Sequence, residues 1–208
     1  MATIPETYAS ECQVVINDID LDIVARNILL LLVALHFEPE EATAIMLHIW
    51  YSALVPQKMV ESLQNNIAPL IKEVCGKIEN RDDNSLQAKI WKYGTRSLQV
   101  VLEKSQLNRL LLYFDVPVGL STTQARNIRA ATMLAPDRKD YVDRALYKRL
   151  PAWRLPMMKF RNDGILLPFG ASRRAHDTPN PSVFHSPPIT LFVDTLEERS
   201  INLQISGP

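Results

Sequence analysis

Cys12–Leu35, C-Q-V-V-I-N-D-I-D-L-D-I-V-A-R-N-I-L-L-L-L-V-A-L, reads as a strand, an acidic edge and a buried helix in direct succession. Val14–Ile16 places apolar β-branched residues on consecutive positions, the pattern of a parallel strand covered on both faces, and the run stops at Asn17-Asp18. Asp20 stands where an N-cap is needed, with a carboxylate able to accept an orphan amide of the first helical turn. Asp22 adds negative charge at the positive end of the helix dipole. A carboxylate at the C-terminal edge of a parallel strand is where doubly wound folds hold a ribose hydroxyl, so Asp18 is the candidate cofactor-binding residue. The structural alternative for Asp18 is a solvated strand-end turn.

Outward from this segment, the uninterrupted apolar run Ile28–Leu35 spans eight residues between Asn27 and His36. A membrane-spanning helix needs about 20, so the run is expected to be a core helix and no membrane association is expected. Glu40–Ala53, opened by Pro39, is expected to be a second buried helix. From Pro56 to Asn80, apolar residues at three-and-four spacing predict an amphipathic helix that Pro69 kinks or divides, and Asn80–Ser85 is a loop by composition. Ser97–Leu102 is compatible with a second strand feeding an apolar helix over Ser105–Phe114. Ser121 or Thr122 can cap a helix to about Leu134, and Pro136 opens a charged helix over Asp137–Lys148. Met157–Arg161 and Ile165–Leu167, joined by Asn162-Asp163-Gly164, predict a C-terminal hairpin. Beyond Gly170 the composition turns to Ser, Pro, Asn and Arg, with Pro179, Pro181, Pro187 and Pro188. One short edge strand at Ile189–Val193 is compatible with that stretch, and an irregular, poorly ordered tail is expected over 185–208, leaving 1–184 as a single domain.

The chain has 208 residues, 47% hydrophobic and 22% charged, with zero formal net charge, so no bulk field draws it to nucleic acid or an anionic surface. The charges are unevenly placed. Lys+Arg against Asp+Glu is 10 against 15 over residues 1–119, net −5, and 12 against 5 over 120–180, net +7. The basic block holds Arg126, Arg129, Arg138, Lys139, Arg144, Lys148, Arg149, Arg154, Lys159 and Arg161 among Tyr141, Tyr147, Trp153 and Phe160. Such a mixture can grip phosphates and stack bases. Asp137, Asp140 and Asp143 interrupt it, which disfavours nucleic acid and leaves an acidic protein partner as the intermediate reading.

Chemistry-bearing patterns are sparse. A dinucleotide or S-adenosylmethionine site needs a glycine turn after the first strand, and the six glycines, at 76, 94, 119, 164, 170 and 207, all follow the acidic edge without forming G-x-G. The expected domain therefore lacks its first β-α unit. His36, His48, His176 and His185 show no metal-ligand spacing, no serine lies in G-x-S-x-G, and neither Cys12 nor Cys75 has a neighbouring histidine. No metal site and no catalytic residue is assigned. Two cysteines are too few for a disulfide scaffold, so buried reduced thiols are expected. The first ten residues have no basic leader or apolar core of a signal peptide, which points to the cytoplasm, with the nucleus as the alternative.

Six motifs occur together: V-I-N-D-I-D-L-D-I-V-A-R-N (15–27), L-H-I-W-Y-S-A (47–53), Y-G-T-R-S-L (93–98), Y-F-D-V-P-V-G-L (113–120), M-L-A-P-D-R-K-D-Y-V-D-R (133–144) and F-R-N-D-G-I-L-L-P-F-G (160–170). The combination resembles the fungal domain-of-unknown-function 4470 family over about residues 5–184. That family is associated with MYND-type zinc fingers and related to the N-terminal domain of the axonemal dynein assembly factor 3 family. The resemblance implies a degenerate, Rossmann-like (methyltransferase-like) α/β fold. Two features depart from the family pattern: the upstream G-D-x-R-N unit is missing, and His185–Pro208 does not resemble the usual Trp- and Asp-rich continuation. A MYND finger would need a Cys/His cluster that this chain lacks, and no catalytic residues are carried over. The expected function is a non-enzymatic protein-interaction or assembly module with a protein partner and no cofactor. The alternative is an incomplete S-adenosylmethionine-dependent methyltransferase-like domain, with Asp18 at the cofactor ribose in a longer chain.

Overall fold

The computed structural model describes residues 12–133, 143–168, 170–184 and 201–207. In chain order the elements are β1 (Cys12–Asp18), α1 (Leu21–His36), α2 (Pro39–Tyr51), β2 (Leu54–Val55), α3 (Gln57–Asn66), α4 (Ala68–Lys77), β3 (Leu86–Tyr93), β4 (Arg96–Glu103) and α5 (Lys104–Arg109). A 3-10 helix (Leu110–Phe114), α6 (Thr122–Met133), α7 (Pro151–Asp163), β5 (Thr178–Pro179) and β6 (Ile201–Gly207) follow. The fold is mixed α/β and helix-rich, as expected.

The larger sheet has the order β1-β6-β4-β3, and each neighbouring pair is antiparallel. This corrects the parallel pattern read from Val14–Ile16. β1 is an edge strand with Val14 and Val15 exposed, so its apolar run is not the mark of a strand buried on both faces. The parallel sheet of a Rossmann-like domain is not present among the described residues. β3 and β4 form a hairpin across Gly94-Thr95, where Gly94 adopts φ 60°, the positive angle that a two-residue hairpin turn requires.

β4 turns Leu98, Val100 and Leu102 into the core on alternate positions, joined by Trp91 of β3. α1 lies over this face with Val24, Ala25, Ile28, Leu29, Leu32 and Val33 inaccessible to solvent, which makes the apolar run a core helix as its length implied. α2 is less buried than its composition implied. Ala42, Ile45 and Ile49 face inward while Leu47, Trp50 and Tyr51 are exposed. Pro69 divides the next helical stretch into α3 and α4, since its ring fits a first turn and not a helix interior. A Glu103/Gln106 capping box starts α5 directly from the end of β4.

A second, smaller core of Leu54, Ala125 and Ile165, with Leu120, Leu167 and Phe184 against it, forms where β2 meets β5, α6 and the segment after α7. The C-terminal hairpin expected around Asn162-Asp163-Gly164 is instead the end of α7. Gly164 takes φ 72° as the left-handed residue after the helix, and its N–H donates to Phe160 O at 2.8 Å. Asp-Gly supplies a positive φ equally well to a hairpin turn and to a helix C-cap, and here the helix uses it. The irregular tail expected from 185 is also corrected over Ile201–Gly207, which is β6, lying between β1 and β4. The strand expected at Ile189–Val193 and the first half of the charged helix Asp137–Lys148 fall outside the described residues; 143–147 is helical.

Candidate functional site

Asp18 closes β1 opposite Ile201, and its Oδ1 accepts the Asp20 N–H at 2.9 Å. Asp20 caps α1 as its position predicted, accepting the Asp22 N–H at 2.8 Å. Asp22 is engaged from a distant element. The Tyr113 hydroxyl donates to its Oδ1, and Arg109 lies 3.9 Å away. Burial, followed by the hydrogen bond to Asp22 and that carboxylate's charge, pushes the Tyr113 hydroxyl well above the usual phenol range. The strand-to-helix turn Ile19-Asp20 has no glycine, and the first two acids are already bonded to local amides. The geometry is that of a helix start fastened to the 3-10 helix.

A denser polar cluster, which no sequence motif announced, surrounds the C-terminus of α2. Asn180 is buried, and its Nδ2 donates to the carbonyls of His48 (3.1 Å), Ile49 (3.2 Å) and Ser52 (2.7 Å). The His48 carbonyl also accepts the Ser52 N–H at 3.0 Å and the Ile49 carbonyl faces the Ser182 hydroxyl at 3.3 Å, so the Asn180 amide completes a helix end that the backbone caps only in part. Asn180 Oδ1 in turn accepts from Ser182 N (3.1 Å) and Ser182 Oγ (2.8 Å). The only sequence cue is Asn180-Pro181-Ser182, a residue order suited to a side-chain-closed turn.

His48 and His176, distant in sequence, meet here with ring centroids 5.1 Å apart. Burial is the main reason both imidazoles lie below their ordinary pKa of 6.5. The facing His176 adds to the effect on His48, and Arg173 adds to that on His176, while Asp177 and Asp163 oppose it there. The Ser52 hydroxyl lies 3.0 Å from His48 Nδ1 and accepts the Leu166 N–H at 3.0 Å. A serine beside a histidine is the arrangement of an activated nucleophile. Ser52, however, has no exposed surface, and its oxygen is occupied by the Leu166 amide, so the pair joins α2 to the segment after α7. No group of three or more metal-ligating side chains occurs among the described residues. His36 packs edge-on to Phe37 and Tyr93, and His185 lies outside the described residues.

The basic block separates into two populations. Arg129, half-buried, donates to Arg161 O at 2.8 Å and stacks 4.8 Å from the Phe160 ring; burial lowers its pKa. Arg161 pairs with Asp143 at 2.6 Å, and Arg173 with Asp163 at 2.6 Å. Arg154 donates to Arg149 O and Tyr147 O, both at 3.0 Å. These cations hold the structure together. Arg126, Lys148 and Arg149 are exposed, and Lys159 is exposed while pairing with Asp163 at 3.5 Å; Tyr147, Leu150, Trp153, Leu155 and Met158 are exposed apolar residues of the same stretch as Lys148, Arg149 and Lys159. No residue of α7 is buried. Arg138, Lys139 and Tyr141 lie outside the described residues. Cys75 is a free, half-buried thiol whose Sγ is 3.6 Å from Leu107 O, and burial pushes its pKa up, away from the reactive thiolate.

No described helix is long and apolar enough to cross a membrane. No curated protein and no solved structure matches the chain. Residues 1–55, a span that runs to the end of β2 and includes the first two of the six sequence motifs, match the model of a family described as a domain of unknown function, DUF4470.

Proposed function

We propose that this chain is a non-enzymatic protein-interaction or assembly module that works through α7. The observation that carries the reading is that α7 buries none of its residues while presenting Trp153, Leu155 and Met158 to solvent. Leu155 and Met158, three residues apart, share one side of the helix, and exposed apolar side chains flanked by charge are characteristic of protein contact sites. Asn180, Ser182 and the Ser52–His48 pair are occupied in holding elements together, which supports the exposed surface of α7 as the place where a partner docks. The resemblance to the fungal family with its MYND-finger association, and to the dynein assembly factors, supports an assembly role. We place that role in the cytoplasm or nucleus.

A photo-crosslinking amino acid in place of Leu155 tests the reading, with the same group in place of Leu86 on β3 as the control. Discrete heterologous adducts from position 155, removed by Met158→Glu and not obtained from position 86, are expected. Equal labelling from both positions would count against an α7-centred module.

A second reading, S-adenosylmethionine bound through Asp18, has as its support the place of that carboxylate between β1 and α1. A melt that rises by several degrees with saturating S-adenosylmethionine, and does not rise in Asp18→Asn, would favour it over the interaction module.

A further inference from the structure

Between Asp143 and Asp163 the chain carries six Lys or Arg residues and no acid. We propose that the surface over 147–159 docks an acidic segment of a protein partner that inserts apolar side chains; this rests on the interaction-module reading and adds the chemistry of the partner. Tyr147 and Leu150 are each 71% exposed, Trp153 62%, Leu155 58% and Met158 46%. Leu155 and Met158, three residues apart, share one side of α7, and Lys159 follows Leu155 by one turn. Lys148 and Arg149 stand immediately before the helix. Arg154 ties that approach to the first turn through the Tyr147 and Arg149 carbonyls, which fixes the segment bearing Lys148 and Arg149 against the start of α7. Trp, Tyr, Met and Arg are the side chains that contribute most at protein contacts, and methionine adapts to irregular partners.

Charge sets the sign of the partner, since among the described residues the two acids that border the stretch in sequence are engaged, Asp143 by Arg161 and Asp163 by Arg173 and Lys159. A nucleic acid fits less well, because its backbone would leave Leu155 and Met158 uncovered while Arg154 and Arg161 are turned to protein acceptors. A membrane fits less well because Trp153 and Leu155, two residues apart on a helix, leave α7 on nearly opposite sides and cannot both enter one plane.

The test uses the full chain and a fluorescein-labelled amphipathic peptide bearing Glu on its polar face and Leu and Phe on its apolar face. The same peptide with Gln for Glu, phosphatidylserine vesicles and a single-stranded RNA 20-mer serve as comparisons. The Glu peptide is expected to bind about tenfold more tightly than the Gln peptide at low salt, and to lose about tenfold in Leu155→Ser/Met158→Ser and about fivefold in Lys148→Glu/Arg149→Glu. Both variants should melt as the parent does, since none of the four side chains is buried. Equal affinity for the Glu and Gln peptides would overturn the acidic assignment and leave the interaction module standing. Binding of vesicles or RNA, and not of either peptide, would overturn both. Failure of every probe would overturn the partner class, with the crosslinking at position 155 still deciding the broader reading.

Discussion

Gly164 answers two demands at one position. Its φ of 72° is one that L-residues adopt at a cost, and a Cβ there would stand 2.5 Å from Arg129 Cδ and 3.0 Å from Ala53 Cβ. Arg129 cannot simply withdraw, because its guanidinium holds the Arg161 carbonyl at the end of α7. Gly164→Ala is therefore predicted to lower stability by about 2–3 kcal/mol in urea denaturation; an unchanged midpoint would show that α7 does not end as described. Asn180 is a comparable case. Asn180→Ala leaves three carbonyls at the end of α2 without their shared donor and should cost about 2–3 kcal/mol. The histidine pair gives a pH prediction. Both imidazoles titrate below 6.5 in the folded chain and near 6.5 when unfolded. The unfolded state thus takes up more protons as the pH falls past 6.5, and the sign follows: stability is full above about pH 6.5 and declines as pH drops toward the lowered folded values. Urea midpoints at pH 7.5 and 5.5 should differ in this direction, and His48→Gln/His176→Gln should reduce the difference. At this scale the sequence was informative where a residue acts on its neighbours, as with Asp20 capping α1. It was silent where partners come from afar: nothing near His48 points to His176, or near Ser52 to Leu166.

At the level of elements, helices with a local cause were legible. Pro39 opens α2, Pro69 separates α3 from α4, and Ser121 caps α6 through its bonds with Gln124. Strands were harder, because pairing is non-local. The three-residue apolar run Val14–Ile16 fits a buried parallel strand and an antiparallel edge strand equally well, and only the arrival of β6 decides. β6 itself was hidden by the proline-rich stretch before it, and Leu86–Tyr93 by the polar loop it follows. Among the described residues β6 is β1's only partner and one of β4's two, so removing residues 201–208 should strip amide protection from 12–18 in hydrogen exchange while leaving α1 protected. Retained protection across β1 would contradict the sheet order. α7 shows the opposite difficulty: Asp163-Gly164 is a sound turn signal, and what the local sequence could not specify was whether helix or strand precedes the turn.

Across the whole molecule, the uneven charge read from the sequence persists in the fold, yet the structure divides the basic block into cations that bind protein acceptors and cations that face solvent. That division is what narrows a generic basic patch to an apolar surface with a preference for acid. The buried polar cluster at the end of α2 joins that helix to the segments around Leu166 and Asn180, and α7 is the one helix of α1–α7 with no buried residue. Hydrogen exchange of the full chain with and without the Glu-bearing amphipathic peptide tests this division of labour most directly. Added protection confined to 143–163 is predicted. Protection at Asp18–Asp22 or on β3, with α7 unchanged, would contradict it.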